Sequence, residues 1–208
     1  MAADMADPGE PDSAADCGSV DAHRHTDLLD AAVSYLVAHP RASLGQIAAA
    51  AGMGRTSLFK RFPTRDALEH AVAVRALTVC HAAITGARDD TASDGGLRSL
   101  VAALVPIGPQ LNFIWRTPAL DVDAEVVRQY RAMDAALYAA LERARGAGAL
   151  RDDRPGWWLS QTLYALVYVA WESVRDGTLA RRDAPDLVLD TLVGGLGRRP
   201  APEPVGLS

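Results

Sequence analysis

The stretch from Ser43 to Arg65, SLGQIAAAAGMGRTSLFKRFPTR, constrains the fold more than any other part of the chain. Ser43 and Gln46 have the spacing of a helix N-cap with a capping box. Gly52–Gly54 then interrupts the helical pattern with glycines that tolerate positive φ, and Pro63 ends the short helix that follows. The stretch therefore predicts two helices joined by a tight turn, the second of them short and basic.

The second of these helices has a polar, basic side and an apolar side. Leu58 and Phe62 fall on the apolar side and are predicted to pack the helix onto its neighbours. Two helices joined by a short glycine turn, with cations and hydroxyls on the second, are the arrangement that places a helix in the DNA major groove. The residues predicted to contact DNA are Ser43, Arg55, Thr56, Ser57, Phe59, Lys60, Arg61, Thr64 and Arg65.

Most of these residues fall into two chemical groups. Arginine or lysine can donate to guanine O6 and N7, and hydroxyls can serve base edges or phosphates, so residues 55–57 and Lys60 are predicted to read bases. Arg61 and Arg65 are better placed for phosphate, where they would add salt-dependent affinity without sequence preference. Ser43 stands at a helix N-terminus, whose free N–H groups attract anions, and is a further phosphate candidate.

The run Ala50–Leu68, AAGMGRTSLFKRFPTRDAL, resembles the N-terminal motif of the TetR family of one-component transcriptional regulators. The resemblance implies an all-α, TetR-like fold with an N-terminal three-helix DNA-binding domain and a C-terminal helical ligand-binding and dimerisation domain. It also implies a regulator, by default a repressor, that binds a palindromic double-stranded operator as a homodimer and is released by a small-molecule effector. No cofactor is implied.

The resemblance also bears on two single residues. The family commonly has a lysine at the position of Arg65, where it touches the DNA backbone. Many relatives have a tyrosine at the position of Phe59, and its hydroxyl reaches a phosphate. Phe59 cannot supply that bond, so one contact is expected to be lost while the function is kept.

The charge distribution agrees with a DNA-binding segment although the chain as a whole is acidic. The formal net charge is −5, but residues 1–23 carry −6 and residues 24–65 carry +4. Positive charge is therefore concentrated in the segment that must approach DNA.

Composition also predicts the compartment. No apolar run reaches the ~18 residues that a membrane-spanning helix needs, and the N-terminus is acidic where a signal peptide is basic. We therefore expect a cytoplasmic protein without a membrane partner. The two cysteines, Cys17 and Cys80, imply neither a disulfide framework nor a zinc site.

Turn and breaker residues divide the chain into segments. We predict a disordered leader over 1–23, with the first helix beginning near Thr26, and a DNA-binding domain over 24–70. A linking helix follows to about residue 85. The polar, glycine-rich stretch 86–96 then leads into a helical ligand-binding and dimerisation domain over 86–198, and a disordered tail is predicted over 199–208.

The segment Gly156–Arg175 is apolar nearly all round, which predicts burial on both faces. With the helix predicted over Pro185–Leu196, it is expected to form the isologous four-helix interface of a dimer. The predicted interface residues are Leu159, Leu163, Val167, Trp171, Leu189, Leu192 and Val193.

Aromatic side chains with a few polar groups are typical of a small-molecule site. The effector is predicted to contact Asn112, Phe113, Trp115, Tyr130, Met133, Trp158, Gln161, Tyr164 and Tyr168. The sequence shows no buried cationic cluster, which favours an uncharged, fairly apolar or aromatic effector.

Two other classes of protein compete with this interpretation. An enzyme is disfavoured because the chain has no glycine-rich phosphate loop, no cluster with metal-ligand spacing and no nucleophile motif, so no catalytic or metal site is predicted. A TetR-like dimer that binds a small molecule without operator function is the closer rival. The sequence does not separate repressor from activator.

Overall fold

The computed structural model describes residues 13–87, 93–116 and 123–197. Within these ranges the chain forms α-helices and one 3-10 turn, Val105–Ile107, and no β-strand, which confirms the all-α prediction. The helices are α1 (Ser13–Ala38), α2 (Leu44–Ala50), α3 (Arg55–Arg61), α4 (Arg65–Gly86), α5 (Leu97–Leu104), α6 (Gly108–Arg116), α7 (Ala124–Gly146), α8 (Gly156–Arg175) and α9 (Ala184–Leu196).

Helix α1 begins at Ser13, inside the segment predicted as a leader, whereas the first helix was expected to begin near Thr26. Because α1 is already packed from Leu28 onwards, it can lengthen backwards one residue at a time without a new nucleus. Residues 1–12 of the predicted leader and the predicted tail 199–208 lie outside the described residues.

The first helices pack around one apolar cluster, which we call the head core. It is built from α1, α2, α3 and the first half of α4, and Leu58 and Phe62 lie in it as predicted. Its buried members are Leu28, Leu29, Ala32, Val33, Leu36, Ala42, Ile47, Ala48, Leu58, Phe62, Leu68, Val72, Ala73 and Phe113. The last of these, Phe113, comes from α6, so a distant helix returns to complete the head.

A second, larger cluster, which we call the body core, begins on α4 at Ala76 and takes in α5 to α9. Helix α4 therefore contributes to both cores along its length. Helix α5 ends at Leu104, and Pro106 and Pro109 lie at the second position of the 3-10 turn and of α6 that follow it. Proline is tolerated in the first turn of a helix because the N–H it lacks has no partner there.

Two glycines allow close packing in the body. Gly95 has φ +64°, and a Cβ there would lie 2.6 Å from the backbone oxygen of Arg143. At Gly108 a Cβ would lie 2.5 Å from Cβ of Trp171. The start of α6 thus lies directly against α8, and no larger residue fits without displacing one of the two helices.

By length and composition alone, the stretches 65–86 and 97–116 would be long and apolar enough to cross a membrane. The core helices of a soluble protein pass the same test, and both stretches supply side chains to the two cores.

Candidate DNA-binding surface and effector cleft

The capping box predicted at the start of α2 is present. The Gln46 N–H donates to Ser43 Oγ at 3.3 Å, and the Ser43 N–H donates to Gln46 Oε1 at 2.8 Å. The Ser43 hydroxyl also donates to Gln46 Oε1 at 3.1 Å. This hydroxyl is therefore engaged in its cap, and an anion at this position would have to compete with Gln46 for its proton.

The turn between α2 and α3 needs only one of its glycines in the left-handed region. Gly52 has φ +65°, and the next N–H, that of Met53, returns to the Ala48 carbonyl at 2.8 Å. Gly54 instead has φ −65° and ψ 137°, as an N-cap in extended conformation. The chain thus reverses direction at Gly52, and the extended Gly54 leads directly into α3.

Helix α3 presents its polar side to solvent. The predicted contacts Arg55, Thr56, Ser57, Phe59, Lys60 and Arg61 are all exposed, whereas Leu58 is completely buried. The Arg55 guanidinium lies 5.3 Å from the centre of the Phe59 ring. The Phe59 ring thus makes a cation–π contact with Arg55 at the surface. This contact needs only the aromatic ring and does not require the hydroxyl of a tyrosine.

Thr64 and Arg65 have structural partners within the head. Thr64 caps α4 by accepting the Ala67 N–H at 3.1 Å. Arg65 donates Nε to Glu69 at 2.6 Å, Nη2 to the Pro40 carbonyl at 2.6 Å and Nη1 to the Ala42 carbonyl. The arginine thereby ties the α1–α2 loop to α4, so its predicted phosphate contact would have to compete with these three acceptors.

The body contains a small cleft between α6, α7 and α8. Its volume is about 10 Å³, which is room for about one water. Of the predicted effector contacts, Trp115, Tyr130, Met133 and Tyr164 line it, together with Leu111 and Ile114, which the sequence reasoning missed. Leu111 lies four residues before Trp115 and three residues before Ile114, so the helical repeat places these residues on neighbouring parts of one helix surface.

The other predicted effector contacts lie elsewhere. Phe113 belongs to the head core because α6 turns this face towards α1 and α4. Asn112, Trp158, Gln161 and Tyr168 do not line the cleft. Trp158 is largely exposed, and the Tyr168 hydroxyl donates to Glu172 at 2.9 Å, one turn further along the same helix.

Tyr164 places an unpaired hydroxyl in the wall of the cleft. Its oxygen is buried and has no hydrogen-bond partner among the residues that the structure describes. Burial raises the pKa of Tyr164, and the nearby Asp134 carboxylate raises it further. Burial also raises the pKa of Asp134 itself, and it raises that of the Cys80 thiol on α4 to about 12. At neutral pH the wall therefore presents a neutral hydroxyl, and a poorly solvated carboxyl group lies near it.

The predicted dimer interface is wrong for five residues. Leu159, Leu163 and Val167 are completely buried in the body core, and Leu189 and Leu192 also lie in it. Trp171 packs against Gly108 and lies under the Arg175 guanidinium, 5.0 Å from it. Only Val193 is exposed. The aliphatic stripe of α8 was assigned to the partner because its periodicity does not say which of two apolar faces is inside.

A different face of α8 and α9 carries exposed apolar side chains. On α8 these are Trp158, Ala165 and Val169, spaced by seven and four residues along one side of the helix. On α9, Leu187 is 53% exposed, and Gly194 lies two turns further along the same side with open space around it. We call these five residues the outer face of α8 and α9.

No group of three metal-ligating side chains occurs among the residues that the structure describes. An exposed basic helix on a helix-turn-helix head, joined to a helical body with an aromatic cleft, defines a DNA-binding regulator.

Comparison with known proteins gives the family. The chain is 33% identical over 171 residues to the transcriptional repressor LfrR of Mycolicibacterium smegmatis, a match that covers 81% of this chain and 88% of that protein. The structure of the TetR-like regulator LfrR in complex with proflavine matches with TM-score 0.67 and 31% identity, over 84% of this chain and 98% of that one.

A TetR-family regulator from Marinobacter aquaeolei VT8, 20% identical, shares the fold with TM-score 0.62 over 88% of this chain and 100% of that one. No family model matches the chain. On the identity and coverage shared with LfrR, the protein belongs to the TetR family of transcriptional regulators.

Proposed function

We propose that the protein is a homodimeric, cytoplasmic transcriptional repressor that binds a palindromic operator and is released by a small, fairly apolar or aromatic effector. The observation that carries the proposal is that α4 and α6 each supply side chains to both the head core and the body core, and that α6 also lines the cleft.

DNA recognition rests on the exposed side of α3. Arg55, Lys60 and Arg61 give it three cations, and Thr56 and Ser57 give it hydroxyls. The N-terminal residues of a recognition helix contact base edges while flanking cations meet phosphates. We therefore assign base readout to residues 55–57 and Lys60, and phosphate contact to Arg61.

Dimerisation is supported by the outer face of α8 and α9. Exposed apolar side chains on two helices that pack together are typical of an interaction site, and two such helix pairs related by a two-fold axis form an isologous four-helix contact. Two heads in one dimer would also match a palindrome, whose half-sites lie ~34–36 Å apart.

Effector control is supported by the cleft and by a relative. LfrR has been crystallised with proflavine, a planar aromatic dye. The cleft here is much smaller than the ~300–1,000 Å³ of typical ligand pockets, so an effector would have to separate α6 from α7 and α8 on binding. Because α6 also carries Phe113 into the head core, such a displacement would shift the head. Repression is proposed because LfrR is a repressor.

Selection of bound duplexes from a random DNA pool, followed by salt titration and addition of proflavine, tests this function. We expect a palindromic site, a steep salt dependence and release by the dye without dissociation of the dimer. Arg61→Ala should reduce the salt slope by about one, whereas Arg182→Ala, an exposed arginine before α9, should leave it unchanged.

Failure to enrich any sequence would contradict operator binding and favour the alternative, a TetR-like small-molecule-binding dimer. Release accompanied by monomers would contradict the proposed switch. Activation of transcription by the DNA-bound protein would contradict repression alone.

A further inference from the structure

Helix α7 carries a carboxylate beside the effector cleft. Tyr130, Asp134 and Tyr138 are spaced by four residues and lie on one side of α7. Tyr130 and Met133 line the cleft, so Asp134 directly follows a cleft residue and lies about one helical turn from Tyr130.

Packing of α7 against α8 places this carboxylate between the two helices. At the start of α8, a Cβ on Gly156 would lie 3.0 Å from the Tyr138 ring, and two turns later Tyr164 lines the cleft with Tyr130. The helices therefore run antiparallel, with Asp134 midway between these two contacts. Asp134 acts electrostatically on Tyr164, which agrees with this register.

Asp134 has no hydrogen bond or ion pair with any residue that the structure describes. Ser160 is the residue of α8 at this level, and its hydroxyl donates to the Trp157 carbonyl at 3.0 Å. Arg131, three residues earlier on α7, is exposed and does not pair with Asp134. The other nearby carboxylate, Glu172, accepts hydrogen bonds from Tyr168 and Arg175.

A half-buried carboxylate without a partner costs free energy that a cation would offset. The neighbouring Trp115 and Tyr130 rings offer faces to a cation as well, and the free Tyr164 hydroxyl can accept an N–H. The expectation of an uncharged effector came from the absence of buried cations in the sequence. The absence of buried cations argues against an anionic effector but is compatible with a cationic one.

We propose that Asp134 is the charge-recognising residue of the effector site and that the effector is a planar aromatic cation. This inference rests on the proposed function, because it specifies the chemical class of the effector that releases the operator.

Two dyes of similar shape test the proposal: proflavine, which is cationic at neutral pH, and acridone, which is neutral. Each is titrated by fluorescence against the full chain, Asp134→Asn and the control Asp152→Asn, which changes an exposed aspartate in the α7–α8 loop. Asp134→Asn should weaken proflavine binding about tenfold, the range of a hydrogen bond to a charged group, and acridone binding less than twofold. Asp152→Asn should change neither.

Equal losses for both dyes, no loss for proflavine, or no proflavine binding to the unmodified protein would overturn the assignment of Asp134. The operator assay separates this from a failure of the proposed function. If Asp134→Asn still binds the operator and acridone still releases it, only the charge recognition has been removed. If the unmodified protein binds no operator, the proposed function fails, while the dye titrations still decide the role of Asp134.

Discussion

Arg75 on α4 forms a two-pronged ion pair with Asp30 on α1. Its Nε donates to Asp30 Oδ1 at 3.1 Å and its Nη2 donates to Oδ2 at 2.8 Å. Arg75 lies between Ala73, in the head core, and Ala76, in the body core. The pair therefore fixes α1 to α4 at the point where α4 leaves the head.

A double-mutant cycle with Asp30→Asn and Arg75→Gln should give a coupling energy near 1 kcal/mol, because the pair is bidentate and partly shielded from water. Urea denaturation measures it. The exposed pair Arg98–Asp186, whose side chains are 66% and 73% accessible, serves as the control and should couple by less than ~0.5 kcal/mol. Equal coupling in the two pairs would remove the special role of Arg75.

Arg65→Ala should destabilise the head without changing the salt slope of operator binding. The variant leaves the Pro40 and Ala42 carbonyls without this donor, at a cost of about 1–3 kcal/mol. Urea denaturation and a salt titration of operator affinity measure the two effects. Arg61→Ala should show the reverse pattern. A reduced salt slope for Arg65→Ala, with unchanged stability, would mean that Arg65 reaches the DNA.

Gly108→Ala should destabilise the body by about 1–3 kcal/mol because the new methyl group would overlap the Trp171 side chain. Thermal unfolding measures the loss. Gly146→Ala adds a methyl group to a helical position with open space around it, and it should be neutral or slightly stabilising. If α6 and α8 are in contact here, Trp171→Ala should make Gly108→Ala much less harmful; additive losses would argue against that contact.

Asp134→Asn should stabilise the effector-free protein at neutral pH. Burial raises the folded-state pKa of Asp134 above the ordinary value of an aspartate, so ionisation disfavours the folded state. This penalty is absent below the unfolded-state pKa and is fully present once the pH exceeds the raised folded-state pKa. The melting temperature of the variant should therefore exceed that of the parent at pH 7, and the difference should shrink on acidification. A lower melting temperature at pH 7 would show that the ionised carboxylate has a favourable partner.

Val169→Asp should produce monomers, because it would place a charge on the outer face of α8 and α9, where an unpaired buried charge is strongly unfavourable. Sedimentation velocity at several concentrations checks the assembly. Ala139→Asp, on an exposed position of α7, should leave it unchanged. A Val169→Asp protein that sediments like the parent would place the dimer contact elsewhere.

The local features of the head could be predicted because short-range physics decides them. The capping box of Ser43 and Gln46, the reversal at Gly52 and the burial of Leu58 all follow from residues within a few positions of one another. Steric limits on φ, orphan N–H groups at a helix start and the 3.6-residue period act over that range. Sequence was therefore sufficient for the fold class and for the exposed side of α3.

Partners distant in the sequence were decided by the tertiary structure. Arg65 was predicted only as a phosphate contact, and the tertiary structure places two carbonyls of the α1–α2 loop against it. Phe113 was predicted in the effector site, but α6 turns it into the head core. In α8, Leu163 and Val169 are both apolar residues of one amphipathic sequence, yet Leu163 is buried and Val169 is exposed. The sequence by itself determined the helices and the head motif. Contacts between helices decide which apolar face of a helix is buried and which charged side chains form ion pairs. The sequence of a single helix does not contain this information.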